Sequence, residues 1–186
     1  MTINSAPTAR RVAVLVGSLR ADSLNRKVAE LLRDQAPDGV VIDIVDGLAD
    51  LPFYEETLDA EATPAAAVAL RERVAGADAL LAITPEYNGT MPAVLNNAID
   101  WLSRPYGAGA IVAKPFGVLG TTPTPFGGKW AHEDAQRSAR IAGAAVVDGA
   151  VVSQSVLEID PLTDVDAIER FHGVVNALLA FEPAAA

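Results

Sequence analysis

The chain contains no cysteine. That absence removes disulfide frameworks, thiolate zinc sites, cysteine nucleophiles and iron–sulfur ligation together, and it fits a reducing compartment. Positive charge is also scarce. The 14 Lys and Arg residues face 24 Asp and Glu, for a formal net charge of −10. No basic cluster offsets this, so a polyanion such as nucleic acid finds no partner surface. Long hydrophobic runs are missing too, because Arg, Glu and Asp interrupt every apolar stretch before it reaches membrane-spanning length. The first ten residues, MTINSAPTAR, lack the apolar centre of a secretory signal. A soluble, cytoplasmic protein is therefore expected. Its two histidines, His132 and His172, lie far apart and no His/Glu helix pair exists, so no metal site is expected.

What remains is a chain of 186 residues, 51% apolar, which is enough for one buried core. A single domain over residues 11–181 is expected, with residues 1–10 and 182–186 as frayed tails. Val12–Val16 is a continuous apolar run ending in Gly17-Ser18, as a strand buried on both faces requires. Leu24, Val28, Leu31 and Leu32 then form a helical stripe behind Ser23 as N-cap. Val40–Val45, Ala79–Ile83, Pro115–Leu119 and Val146–Val152 read as further strands, the last interrupted by Asp148-Gly149. An irregular stretch covers Gly47–Glu56, and Gly120–Gly128 reads as loop. Helices are predicted from Thr63-Pro64, from Pro92, over Lys129–Ile141 and over Val165–Phe181. This βα alternation predicts an α/β fold: a doubly wound, five-stranded parallel sheet of flavodoxin-like order 2-1-3-4-5 with helices on both faces.

In such a sheet, ligands bind outside the carboxyl ends of the strands near the switch in strand order. The loops after strands 1, 3 and 4 should converge there. The first, GSLRADSLNR at Gly17–Arg26, offers helix-start amides, the Ser18 and Ser23 hydroxyls, the Asn25 amide and the Arg20 fork, all suited to phosphate. An ordinary βα turn with Ser23 as a plain cap is the simpler alternative. The second, TPEYNGTMP at Thr84–Pro92, is stiffened by Pro85 and Asn88-Gly89, with Gly89 permitting a backbone close to a planar ligand. Free amides at the helix start after Pro92 would favour negative charge on a reduced isoalloxazine. Tyr87 and Met91 suit ring packing or the core equally. The third, GTTPTPFGG at Gly120–Gly128, offers two threonine hydroxyls and a Gly127-Gly128 pair that lets backbone approach a ligand, or is simply a surface loop. Neither GxGxxG nor a Walker motif occurs.

Taken together, GSLRADSLNR, PEYNGTMPAVLNNAIDW at Pro85–Trp101 and the Gly127-Gly128 pair resemble the NAD(P)H-dependent FMN reductases, a family that includes quinone, azo-dye and chromate reductases. The resemblance implies FMN as cofactor, with its phosphate in the first loop at Ser18, Arg20, Ser23, Leu24 and Asn25. It implies Pro85, Glu86, Tyr87, Asn88 and Gly89 around the isoalloxazine, and Thr121, Thr122 and Gly128 nearer the ribityl and ring edge. Asp22 departs from the pattern by bringing an anion into the phosphate loop. Asp50–Tyr54 is similar to the family's segment after strand 2, which implies a homodimer or homotetramer interface near the flavin.

The implied activity is hydride transfer from NADPH or NADH to flavin N5, then onward to free flavin, a quinone or a similar acceptor, in a ping-pong cycle. The cofactor carries that chemistry, so no catalytic side chain is required. Glu86 is expected to offer its backbone rather than an acid, His172 to be structural, Trp101 and Trp130 to be core or subunit contacts, and Arg104 to be solvated surface. Two competing readings are a flavodoxin-like electron carrier without NAD(P)H turnover and a binder of sugar or nucleotide phosphates. The arginine-bearing phosphate loop and the 5% aromatic content favour the enzyme over the carrier.

Overall fold

The computed structural model describes residues 9–182. Five strands, β1 (Arg10–Val16), β2 (Val40–Val45), β3 (Ala79–Ile83), β4 (Pro115–Thr122) and β5 (Ala145–Ser155), form one parallel sheet in the order β2-β1-β3-β4-β5. This is the predicted doubly wound architecture. The helices are α1 (Leu24–Asp34), α2 (Glu56–Ala62), α3 (Ala65–Ala75), α4 (Ala93–Leu102), α5 (Lys129–Ile141) and α6 (Val165–Ala180), with a single 3-10 turn at Leu48–Asp50. The expected tails at 1–10 and 182–186 fall largely outside the described residues, although β1 already includes Arg10.

Alternate strand residues feed two cores, as the period of an extended chain demands. Ala13, Leu15, Leu80, Ala82, Phe116 and Val118 pack with the helix residues Leu70, Leu95, Trp101 and Ala135 on one face. Val12, Val14, Leu81, Ile83 and Leu119 pack with Val28, Leu32, Phe171 and Leu178 on the other.

The structure departs from the sequence pattern in two places. Helix α2 falls between the irregular stretch expected at Gly47–Glu56 and the helix expected from Thr63-Pro64; it buries none of its residues and so leaves no apolar stripe. It is held instead by Glu55, whose carboxylate accepts from Thr57 N and Leu58 N at 2.8 and 2.7 Å. Strand β4 continues through Gly120–Thr122, residues read as loop, because β5 runs on beside it to Ser155. Pairing with β3 has stopped by then: Thr84 N donates to Leu119 O at 2.9 Å, and no β3 residue lies beyond. The sheet is therefore staggered, and β4 has an unpaired edge where β3 has ended.

Candidate active site

That stagger opens a cleft of about 420 Å³ at the carboxyl end of the sheet. It is lined by Ser18, Arg20, Ser23, Leu24 and Asn25 from the loop after β1, by Pro85, Glu86 and Tyr87 after β3, and by Thr121, Thr122, Pro123 and Thr124 at the end of β4. Val156 completes it after β5. The size suits a small-molecule ligand. At one end the chemistry is almost purely donor. Ser23 is buried and its Oγ accepts from Arg26 N at 3.3 Å, which leaves its own O–H to donate into the cleft. The Leu24 and Asn25 amides, at the start of α1, have no intrahelical acceptor. Among the described residues no carboxylate or carbonyl engages the Arg20 guanidinium. Asp22, the anion of this loop, is turned to solvent and paired with Lys27, which together with its hydrogen bond holds that carboxyl below its usual range. The apolar part of the wall comes from Pro85, Tyr87, Pro123 and Val156. A donor cluster joined to such a wall fits a phosphate tail continued by a planar ring.

The sequence profile of the NADPH-dependent FMN reductases matches residues 10–157. The chain belongs to that family. A quinone reductase from Pseudomonas putida is 46% identical over 127 residues, 68% of each chain. A 2-hydroxy-1,4-benzoquinone reductase from a Burkholderia species is 45% identical over 114 residues, 61% of each chain. Among solved structures, the flavoenzyme NAD(P)H:(acceptor) oxidoreductase FerB from Paracoccus denitrificans superimposes with a TM-score of 0.74 at 32% identity, covering 91% of this chain and 95% of that one. As a member of the family, the protein is an oxidoreductase whose cofactors are FMN and NAD(P)H.

Of the residues singled out in the FMN reductase sequence, all but Asn88, Gly89 and Gly128 line the cleft. Asn88 and Gly89, at φ 54° and 74°, form the tip of a tight turn closed by reciprocal backbone bonds between Tyr87 and Thr90 at 3.0 and 3.1 Å. Both central residues need the left-handed region, which explains Asn-Gly there. The turn tip looks outward: Gly89 borders a neighbouring cleft with Trp130 and Arg137, while Asn88 borders another with Pro92 and Ala93. The helix start after Pro92 therefore opens onto that second cleft, behind the turn. Met91 is core, only 4% exposed.

Two expectations are narrowed. The Asn25 carboxamide is partly committed to the fold: its Nδ2 donates one hydrogen to Thr121 O at 3.1 Å and its Oδ1 accepts from Thr121 N at 2.9 Å, which leaves the second Nδ2 hydrogen for the cleft. It thus satisfies the β4 edge that β3 leaves unpaired. The Gly127-Gly128 pair admits close approach to the protein itself rather than to a ligand. A Cβ on Gly127 would sit 2.6 Å from the Ser153 carbonyl carbon, and one on Gly128 would sit 3.1 Å from Thr122 Cγ2 and 3.3 Å from the His132 ring. His172, expected to be structural, sits at the margin of α6 and is bonded to Gln35 at 3.0 Å.

The sequence reading did not assign Pro123, Thr124 and Val156 to the site. The first two lie inside the Gly120–Gly128 segment, whereas Val156 follows β5, which runs past Val152 to Ser155. Trp101 is buried and donates to Pro52 O at 2.8 Å, whereas Trp130 is 45% exposed and packs on Phe126. Arg104 lies over the Tyr54 ring, 5.2 Å from its centroid. Among the described residues no cluster suits a metal ion and no helix is long and apolar enough to cross a membrane.

Proposed function

We propose that the cleft binds FMN and that the protein turns over NAD(P)H with a quinone-type or free-flavin acceptor. The observation that carries this reading is the Arg20 guanidinium, which no carboxylate or carbonyl engages among the described residues, beside the Ser18 and Ser23 hydroxyls and the α1 amides, all opening into one cleft. These groups would hold the phosphate. Pro85, Glu86 and Tyr87 would flank the isoalloxazine, with Asn88 and Gly89 shaping the turn beyond it. Thr121 and Thr122 would meet the ribityl chain, with Gly128 shaping the backbone behind them. When bound, FMN supplies the hydride chemistry, taking it up from the nicotinamide and returning it to the acceptor. The chain's own part is to bind, to orient and to keep one face open for both substrates in turn, which makes the cycle ping-pong. Reduction of a quinone takes a hydride and a proton; solvent supplies the proton to the open face, so no side chain need transfer one. Relatives named as quinone reductases support a quinone as acceptor.

The working unit in this reading is a homodimer or homotetramer joined near the flavin through Asp50–Tyr54. In support, Phe53 is 80% exposed on a segment pinned to α4, where Asn97 Oδ1 accepts from Tyr54 N at 2.9 Å and its Nδ2 donates to Pro52 O at 3.0 Å. Dependence on reduced nicotinamide fits work in the cytoplasm.

The test is FMN titration followed by absorbance, with anaerobic NADPH and NADH added to the complex. Arg20→Ala removes charge-assisted bonds of about 1.5–3 kcal/mol, so the dissociation constant for FMN should rise about tenfold to a hundredfold. An unchanged constant would refute the assignment of the phosphate end.

A further inference from the structure

Helix α5 lacks a cap of its own. Its N-cap is Gly128, at φ 90°, with no side chain to accept from the first-turn amides. The acceptor comes from the cleft wall instead: Glu86 Oε2 accepts from Ala131 N at 3.1 Å. A carboxylate at that position is favoured by the helix dipole as well as by the bond. The next residue, His132, is buried and reaches the same wall. A carbonyl oxygen can only accept, so Nε2 carries the proton and donates to Thr84 O at 3.2 Å, while Nδ1 accepts from the Ser153 hydroxyl at 2.7 Å. Further along, the Asp134 carboxylate accepts from the Thr90 hydroxyl. Three closely spaced residues of α5 thus hold the start, the middle and the end of the Thr84–Thr90 loop.

Space for the imidazole is made by two glycines. A Cβ on Gly120 would overlap Thr84 O and lie 2.7 Å from His132 Nε2, and one on Gly128 would also crowd the ring. The interaction is therefore built into two strands, a helix and the chain leaving β3.

We infer that Glu86 and His132 are positioning residues of the flavin site: they fasten the Pro85–Tyr87 wall to α5 and so fix its separation from the Arg20 cluster across the cleft. Glu86 is thereby a helix cap supplied from a distance and not an acid or base of the reaction. The inference rests on the reading of the cleft as the FMN site.

The experiment compares Glu86→Ala and Glu86→Gln by FMN titration, by the absorption spectrum of the bound flavin and by the pH profile of kcat in the holoenzyme, with apo melting temperatures as a check on folding. Glu86→Ala should bind FMN about tenfold more weakly, the loss of one charge-assisted bond, with a shifted spectrum and an unmoved pH profile. Glu86→Gln, whose amide oxygen still accepts from Ala131 N, should recover most of the affinity. Wild-type FMN affinity in both variants overturns the inference, whether the melting temperature falls or not. So does loss of an ionisation limb from the pH profile at unchanged affinity, which would make Glu86 an acid–base group. Arg20→Ala measured alongside separates the two failures: intact FMN binding there removes the cleft reading itself, whereas lost binding there with unchanged Glu86→Ala removes only this inference.

Discussion

Replacing Asn25 tests whether its carboxamide belongs to the fold or to the ligand. Its two bonds to Thr121, at 3.1 and 2.9 Å, satisfy a backbone C=O and N–H that are both buried. Asn25→Ala leaves both without partners. Each such group costs about 1–3 kcal/mol, so the pair costs about 2–6 kcal/mol. Water from the adjoining cleft holds the loss to the lower half of that range. For a chain of this size the melting temperature of the apo protein should fall by roughly 5–15 °C.

Asn25→Asp is nearly isosteric and behaves differently. The introduced carboxylate still accepts from Thr121 N but presents its second oxygen to a carbonyl. Burial and that repulsion push its pKa above the ordinary aspartate range, and the protonated form regains a donor. A folded pKa above the unfolded one means stability that is complete at low pH and lost as pH rises through the folded value. Urea unfolding at about pH 5 and about pH 8 should therefore bring Asn25→Asp nearer to wild type at the lower pH, while the Asn25→Ala deficit stays constant. An Asn25→Asp deficit that ignores pH, or an Asn25→Ala protein that melts with wild type, refutes the pairing and frees the carboxamide for the ligand.

Two further outcomes follow from His132. Burial holds its pKa below the ordinary value of 6.5, against the upward pull of the Thr84 carbonyl and the Glu86 carboxylate. The unfolded chain then takes up the proton first, so stability is complete above that value and declines as pH falls below it, by at most about 1.4 kcal/mol per pH unit. Melting curves of His132→Gln should lack this slope, and equal slopes would contradict a neutral buried imidazole. Gly120→Ala drives a methyl into Thr84 O and the His132 ring and should destabilise by about 1–3 kcal/mol or more. Gly149→Ala, where nothing lies within 4 Å, is its control in urea titration.

The order of the strands and the convergence of three loops were legible because β1 and β3 are unbroken apolar runs and the topology does the rest. The donor-rich end of the cleft was legible for a related reason: donors at a helix start declare themselves locally. What escaped depends on partners distant in sequence. Asn25 and Thr121 are 96 positions apart, and nothing in either neighbourhood says that one amide will complete the other's strand edge. The extent of β4 was hidden in the same way, since Gly120-Thr121-Thr122 becomes strand only beside β5. Gly127-Gly128 announced a close approach correctly, but a glycine does not say to what. Helix α2 has no buried face to betray it.

The staggered sheet also governs how such a site can change over time. At its floor the main chain left by the shorter strand is completed by the Asn25 carboxamide, and exchanging the other side chains barely alters it. Novelty is thereby channelled to the rim, where Tyr87, Pro123, Thr124 and Val156 stand. A lineage can retune what enters there without rebuilding the platform underneath.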